Sequence, residues 1–442
     1  MIFQRAKMNG VNFLLALLLL TGCGKKKVER PVEGNVAGKT NIEFWHYFSQ
    51  HQARPLEELV ARFEKENPDI NVRTIFQGNP GQLKQKLDGS FASGMKNNPA
   101  LSLVYESWVD DMLPRGYIDP VQNYLDGPDG LTPAERQDFV KAFVEGNTWD
   151  NKLITLPFNK SVYLLYMNMD MMAAAGYTSA PATQTQLADA ARKMTIRKGS
   201  RIMTYGWGMI PKGEAFSTLF LARGGEFIDA SGHPRLNSPV AVDVLEMLKG
   251  LQYPQRHLYV SMDYMSKPLA NKMIGMYIYS SASLPYNKID ARGKIRYDAA
   301  PIPGGDDGEA RYLMQGTNLA IYANRPEAER RAAWRLIRFL TTPENGVYFV
   351  TRSGYMPYRY SMMDVPELKK YMAENPDYAH AAQLVLTDKG KQEPKMRAWE
   401  GIRNEIDTVV DKLLSRADSD PRALLDQLQK KAEAKLIQEP RK

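Results

Sequence analysis

The feature that most constrains the fold is a strand–helix–strand pattern that begins near residue 40. Apolar residues alternate with polar ones at Ile42 and Phe44, as expected of a strand with one buried face. A helical apolar stripe over 56–63 follows, and a second alternating strand contains Ile70 and Val72. Two strands joined by a helix lie parallel in one sheet, so the pattern predicts an α/β fold with right-handed crossovers.

The ends of these elements can also be predicted. Pro55 is expected to begin the first helix, because proline is well tolerated in a first turn, and the Asn-Pro-Asp sequence at 67–69 is expected to end it. A buried strand over 101–105 places Glu106 at a carboxyl end, where ligands bind in open α/β sheets. Apolar patterns further along predict one buried strand at 162–167 and helices at 185–194, 238–251, 328–340, 402–414 and from 421 onward.

The N-terminus has the features of an export signal. Arg5 and Lys7 precede an apolar run over 11–20, which is shorter than the roughly 20 residues that a membrane-spanning helix needs. The following Leu-Thr-Gly-Cys, ending at Cys23, resembles the bacterial lipobox, in which the cysteine is acylated and becomes the mature N-terminus. We therefore expect a lipoprotein signal peptide over 1–22 and a flexible, polar tether over 23–39.

Cysteine content and charge exclude several other classes. Cys23 is the only cysteine of the 442 residues, so an intrachain disulfide and a thiolate metal cluster are both excluded. The formal net charge is +8, but positive residues are dispersed and usually near acids, apart from the tether lysines. A mixed solvated surface is the expectation, and a nucleic-acid interface is not.

Enzyme motifs are weak. A glycoside hydrolase needs two carboxylates that flank the scissile bond, and the candidate pairs are the adjacent aspartates at 110–111 and 306–307. Adjacent aspartates more often cap helices or turns. His46 and His51 are near each other but span a strand end and a helix start, and no nucleophile elbow or phosphate-binding loop occurs. We expect no catalytic residues, no metal and no cofactor.

Five segments form an ordered set along the chain: Phe44-Trp45-His46, ARFEKENP at 61–68, LPFNKSVYLLYMN at 156–168, residues 334–344 and Ser353-Gly354-Tyr355-Met356-Pro357. Together they resemble the family 1 extracellular solute-binding proteins of ABC importers. The resemblance extends over roughly 40–437 with its parts in the family's order.

That resemblance implies a two-lobed, type II periplasmic-binding-protein fold with a hinge and a ligand cleft between the lobes. The implied lobe 1 comprises 40–158 and 318–352. The implied lobe 2 comprises 159–317 and 353–442. Transport energy would come from partner proteins, namely the permease subunits with their ATPase.

Within the family, the sequence is most similar to members that bind glycerol-3-phosphate. Matched by local motif, their ligand residues fall on Glu106, Ser161, Ser280, Gly316, Tyr355 and Arg403, and Trp207 stands at an aromatic position of the cleft. Two positions depart from the pattern: Pro80 replaces a tyrosine, and Ile210 or a neighbour stands where a second tryptophan is expected.

These residue types suit a phosphorylated polyol. The resemblance implies that Ser161, Ser280 and Arg403 donate to a phosphate, that Gly316 lets the ligand approach the main chain, and that Glu106 accepts from glycerol hydroxyls. Trp207 and Tyr355 offer flat apolar faces.

Structural roles remain open for the same residues. The serines can be hydrogen-bonded within the protein, and Gly316 can serve a turn. Arg403 can form a surface ion pair with Glu400 or Asp407, and Lys160 either is a second cation of the site or points to solvent.

The resulting expectation is a monomeric, lipid-anchored substrate-binding protein that faces the periplasm or the cell exterior. It would capture glycerol-3-phosphate or a glycerophosphodiester and deliver it to the permease. A neutral sugar such as maltose or trehalose remains an alternative ligand, and a lipid-anchored hydrolase or a scaffold protein remains an alternative class.

Overall fold

The computed structural model describes residues 35–95, 97–306, 310–387 and 389–438. Cys23, the predicted signal peptide and most of the predicted tether lie outside these residues. From Val36 onward the described residues belong to one compact unit. Within the described ranges, no helix is both long enough and apolar enough to cross a membrane.

Fourteen strands are present in this part of the chain. They are β1 (Thr40–His46), β2 (Ile70–Phe76), β3 (Leu101–Val104), β4 (Ile118–Asp119), β5 (Thr148–Trp149), β6 (Lys152–Leu153), β7 (Leu156–Asn168), β8 (Ile196–Lys198), β9 (Arg201–Met209), β10 (Leu258–Val260), β11 (Ile274–Ser280), β12 (Tyr297–Pro301), β13 (Tyr312–Tyr322) and β14 (Gly390–Gln392).

The same described ranges contain seventeen α-helices. They are α1 (Gln50–Glu66), α2 (Pro80–Ala92), α3 (Glu106–Met112), α4 (Pro133–Gln137), α5 (Lys141–Gly146), α6 (Met169–Ala174), α7 (Gln184–Met194), α8 (Gly213–Ala222), α9 (Pro239–Gln252), α10 (Ser266–Ala270), α11 (Leu284–Ala291), α12 (Glu327–Leu340), α13 (Pro343–Ser353), α14 (Pro366–Glu374), α15 (Pro376–Val385), α16 (Trp399–Ser415) and α17 (Pro421–Gln438).

One sheet of twelve described strands has the central order β10-β9-β11-β7-β13-β3-β1-β2. Strands β3, β1 and β2 are mutually parallel and form what we call the first block. Strands β10, β9 and β11 are also parallel and form the second block. The predicted parallel pairing of the strands around α1 is confirmed.

Two long antiparallel strands, β7 and β13, connect the blocks. Strand β13 pairs with β3 of the first block, and β7 pairs with β11 of the second. They pair with each other between Leu156 and Val162, and all thirteen residues of β7 are buried. A continuous apolar strand of this length is typical of one that is covered on both faces.

The first helix begins earlier than predicted. Helix α1 starts at Gln50, and Pro55 lies inside it. The additional turn forms because the carbonyl oxygen of Ser49 accepts hydrogen bonds from the backbone N–H groups of Gln52 and Ala53. The predicted end at Asn67 is confirmed: both its backbone and its side-chain N–H groups bond the carbonyl of Phe63.

An aromatic cluster packs beside the start of β7. The ring of Phe158 stacks on Phe349 of α13 with 4.6 Å between centroids, and Phe48 contacts both rings. Tyr355, just after α13, stacks on Phe349 in turn. These buried rings connect α13 and the segment after it to β7.

Gly316 on β13 is where the two connecting strands approach most closely. Its φ is +124°, and a Cβ added there would stand 2.1 Å from the carbonyl oxygen of Asn159 on β7. The pairing register shifts next to it, between Thr317 and Asn318. Glycine is therefore required by the backbone conformation and by the neighbouring strand.

We predict that Gly316→Ala lowers the free energy of unfolding by more than about 2 kcal/mol, because it combines an unfavourable φ with a backbone clash. Gly293→Ala is the matched control: its φ is +71° and its added Cβ meets nothing within 4 Å, so a loss of about 1 kcal/mol is expected. Urea unfolding measures the free energy of unfolding of both variants. Equal losses would contradict the close approach of β13 to β7 at Gly316.

Candidate functional site

The central part of β7 brings several predicted site residues together. The Lys160 ammonium lies 2.8 Å from Glu106 Oε1, at the first position of α3. Lys160 pairs with Gly316 across the strands, and its carbonyl accepts from the N–H of Met356, next to Tyr355. Glu106, Gly316 and Tyr355 therefore meet around one residue of β7.

Lys160 is a buried cation, so its predicted solvent-facing alternative is wrong. Its side chain is 1% exposed and that of Glu106 is 13% exposed. Burial lowers the pKa of Lys160, and the Glu106 carboxylate opposes that shift. The pair is held together because neither charge is well solvated without the other.

Hydroxyl and amide groups form a network beside this pair. The Tyr47 hydroxyl lies 3.1 Å from Thr317 Oγ1 and accepts from the Asn159 side-chain amide at 2.9 Å. Tyr105 and Tyr355 interact with the same Tyr47 hydroxyl. Burial raises the pKa of all three tyrosines, which keeps their hydroxyls protonated and able to donate.

The two predicted serines differ in their surroundings. Ser161 lies opposite Gln315 and is 5% exposed, and its hydroxyl has no hydrogen-bond partner in the described chain. Ser280 lies opposite Tyr163, and its hydroxyl oxygen accepts from the N–H of Ala282. Ser161 is thus available to a ligand, whereas Ser280 already caps a turn.

Gly316 is needed for strand packing whether or not a ligand contacts it. The space that its missing side chain leaves is filled by the backbone of Asn159 and Lys160. The ligand contact that the resemblance implies for Gly316 stays a prediction.

Arg403 on α16 lies between two carboxylates. Its guanidinium is 3.1 Å from Glu214 and 3.4 Å from Glu393, and the Glu393 side chain is 14% exposed. The Glu393 carboxylate raises the pKa of Arg403, and burial raises the pKa of Glu393. The Arg403 ion-pair partners proposed from the sequence are wrong, since Glu400 and Asp407 make other contacts.

Those other contacts are structural. Glu400 accepts from the indole N–H of Trp108, and Asp407 pairs with Lys212 and accepts from the N–H of Gly213. Arg403 is paired instead with Glu214, which lies far away in the sequence, and with Glu393, which lies ten residues before it.

An aromatic pocket of about 330 Å³ opens next to Arg403. Trp207, 1% exposed, lies in it with Ile210, the position without the second tryptophan. Its other lining residues include three tyrosines, a carboxylate and thioethers, namely Tyr163, Tyr264, Tyr279, Glu214, Met209 and Met262. Tyr163 also joins the pocket to β13 through a hydrogen bond to Gln315.

The aspartate pairs considered for hydrolysis have structural contacts. Asp110 accepts from the Trp149 indole and from the N–H of Arg397, while Asp111 forms ion pairs with Arg115 and Arg397. Asp306 accepts from the Thr185 hydroxyl, and Asp307 lies outside the described residues. Among the described residues, no cluster of three or more His, Cys, Asp or Glu side chains could hold a metal ion.

Pro80 begins α2, and the preceding Asn79 caps that helix. Pro80 has no hydroxyl to replace that of the expected tyrosine. The hydroxyls near β7 come from other tyrosines, which the sequence did not indicate as site residues. Tyr47 and Tyr105 each directly follow a parallel strand of the first block, so the strand-end rule that selected Glu106 also selects them. No comparable feature of the sequence marked Glu214 or Glu393 as site residues.

We predict that Glu106→Gln lowers the free energy of unfolding by about 3 to 5 kcal/mol, because it leaves the Lys160 charge buried without a partner. Glu327→Gln is the control, since its partner Arg331 is 62% exposed and a change within about 0.5 kcal/mol is expected. Urea unfolding distinguishes them. A small, equal effect in both variants would show that the buried pair is not needed.

Comparisons with known proteins place this geometry in a family. The family described as bacterial extracellular solute-binding proteins matches residues 58–377. The sn-glycerol-3-phosphate-binding periplasmic protein UgpB of Escherichia coli K12 is 26% identical over 398 residues, covering 86% of this chain and 88% of that protein.

Solved structures show the same fold. UgpB from Mycobacterium tuberculosis, in complex with glycerophosphocholine, superposes with a TM-score of 0.79 at 22% identity, covering 91% of this chain and 99% of that one. The GacH receptor of Streptomyces glaucescens was solved unliganded and with acarbose. It superposes with a TM-score of 0.77 at 18% identity, covering 90% of this chain and 99% of that one.

The predicted two-lobed periplasmic-binding-protein fold is therefore confirmed, and in this chain β7 and β13 connect the two parallel blocks. Because the family match extends over well over half of the sequence, the chain belongs to the bacterial extracellular solute-binding proteins.

Proposed function

We propose that this protein is the solute receptor of an ABC importer and that its preferred solute is a zwitterionic glycerophosphodiester such as glycerophosphocholine. Glycerol-3-phosphate is the second member of the same ligand class. The observation that carries the proposal is the position of Arg403, between two carboxylates and beside an aromatic pocket.

The hydroxyl-rich side of the site suits the phosphate and glycerol. Ser161 and the protonated hydroxyls of Tyr47, Tyr105 and Tyr355 are donors, and Arg403 supplies a planar cation. Glu106, oriented by Lys160, accepts from glycerol hydroxyls. We retain Ser280 and Gly316 as neighbours of the ligand rather than as its main donors.

The pocket side suits a quaternary ammonium group. Trp207, Tyr163 and Tyr279 line the pocket, and a cation within about 6 Å of the face of an aromatic ring is attracted by the negative charge of that face. The carboxylate of Glu214 lines the same pocket and supplies the opposite charge.

Charge balance favours the zwitterion over the monoester. One arginine and two carboxylates lie together, so the group carries no net positive charge once Glu214 is ionised, even with Glu393 in the neutral form that burial favours. A phosphate monoester brings a charge of about −1.5 to −2 at pH 7. A choline phosphodiester brings one negative and one positive charge, which match Arg403 and Glu214 respectively.

We also propose the lobe division given by the family resemblance, 40–158 with 318–352 and 159–317 with 353–442. In support, two of its three boundaries, after 158 and after 317, lie where Asn159 pairs with Thr317, beside the register shift of β13. A hinge at this position would let the lobes close over the cleft.

Export and anchoring complete the proposal. The lipobox at Cys23 supports acylation and attachment to a membrane that faces the periplasm or the cell exterior, and a monomer would then deliver solute to permease subunits and their ATPase. Binding without turnover is proposed, since Asp110 and Asp111 are engaged in structural contacts.

A neutral oligosaccharide is the second candidate. Aromatic side chains beside carboxylates also bind sugar rings, and the similar GacH receptor was solved with acarbose. This candidate predicts that no charged group on the ligand is needed.

Thermal unfolding against glycerophosphocholine, glycerol-3-phosphate, glycerol, maltose and trehalose tests the proposal. A ligand at 100 times its dissociation constant stabilises by about 2.7 kcal/mol, and glycerophosphocholine is expected to give the largest shift. A shift with a disaccharide alone would favour the sugar receptor. No shift with any solute would contradict the receptor proposal, and product formation would indicate a hydrolase.

Two variants test the assigned charges. Arg403→Ala is expected to abolish binding of both phosphate-containing ligands, glycerophosphocholine and glycerol-3-phosphate. Glu214→Gln is expected to weaken the binding of glycerophosphocholine about tenfold, because it removes the acid opposite the ammonium group. The same change should strengthen the binding of glycerol-3-phosphate. Glu246→Gln, at an exposed position of α9 outside the pocket lining, is the matched control and should change neither affinity. Retained phosphate binding in Arg403→Ala would reject its role.

A further inference from the structure

The hairpin formed by β8 and β9, together with the residues on either side of it, is a basic surface segment that the solute site does not explain. Residues 190–213 contain no Asp or Glu, although they include six Lys or Arg residues. The expectation of dispersed positive residues therefore does not hold for this segment.

Four of these cations have no ion pair within the described residues. They are Arg192, Arg197, Lys198 and Arg201, and all are exposed. The other two are paired, Lys193 with Asp189 and Lys212 with Asp407. A concentrated, uncompensated positive charge attracts an anionic partner.

The hairpin also exposes apolar side chains. Ile196 is 55% exposed and Met203 is 49% exposed. All of β8 is exposed, and the pairing register places Arg197 opposite Ile202 and Lys198 opposite Arg201. Paired residues point to the same face and neighbouring residues point to opposite faces, so Arg197 and Ile202 lie on one face, while Lys198, Arg201 and Met203 lie on the other. Both faces therefore carry a cation and an apolar side chain.

We propose that this hairpin inserts at the surface of an anionic lipid membrane. A flat protein partner would cover one face of the hairpin, whereas a fluid interface can contact both faces at once. Its cations match anionic head groups, and Ile196 and Met203 match the boundary of the acyl region. The contact is independent of which solute the cleft binds.

A dye attached to the thiol introduced by Ser200→Cys, at the turn of the hairpin, reports on this contact. The full-length protein is reconstituted on vesicles of phosphatidylcholine with or without phosphatidylglycerol, with the unsubstituted protein labelled in parallel as background. Only the anionic vesicles should shift the emission of the dye to the blue and protect the dye from the neutral quencher acrylamide. Raised salt should reverse both effects.

Two triple variants distinguish the hairpin from overall charge. Removing Arg197, Lys198 and Arg201 by substitution with Gln is expected to weaken the contact roughly 100-fold. The charge-matched control substitutes Arg331, Lys369 and Lys431 with Gln, all exposed elsewhere, and should retain the signal.

Three outcomes would overturn the proposal. They are equal signals on neutral and anionic vesicles, equal loss in both triple variants, and a signal that appears only when permease is added. The last outcome would assign the hairpin to a protein partner. A dye at Ser231→Cys, another exposed position, should not respond to the lipids.

Discussion

The pairing of β7 with β13 is the constraint on which the rest of the structure depends. These are the strands that connect the two parallel blocks, and Gly316 lets their backbones approach where a side chain would clash with Asn159. The same stretch of β7 carries Lys160 and Ser161, so the connection between the blocks and the candidate site share residues. Packing at the crossing thereby fixes the positions of the groups that would bind solute.

The second determinant is charge. Lys160 and Glu106 neutralise each other in a buried pair, and this leaves Arg403 with two acids as the group that sets the electrostatic character of the site. A single arginine in isolation attracts any anion, whereas we propose that an arginine between two carboxylates selects a ligand that carries both signs. The aromatic pocket beside Glu214 gives the positive end of such a ligand a surface to contact.

Much of the architecture could be predicted from the sequence because it is encoded locally. Alternation at Ile42 and Phe44 and the helical stripe before Asn67 led to the parallel first block. The start of α1 was wrong because Ser49 adds a turn that no apolar pattern marks. The pairing of Arg403 with Glu214 and the role of Gly316 depend on chain segments far apart in sequence, and the basic hairpin becomes a surface only when β8 and β9 pair.

A crystal structure of the protein with glycerophosphocholine tests the central claim most directly. The account predicts ligand density along β7 at Ser161, with phosphate oxygens within hydrogen-bond distance of the Ser161 hydroxyl and the Arg403 guanidinium. The trimethylammonium group should lie against Trp207 and near the Glu214 carboxylate. Density elsewhere, or a reversed ligand with its ammonium at Ser161, would contradict the account.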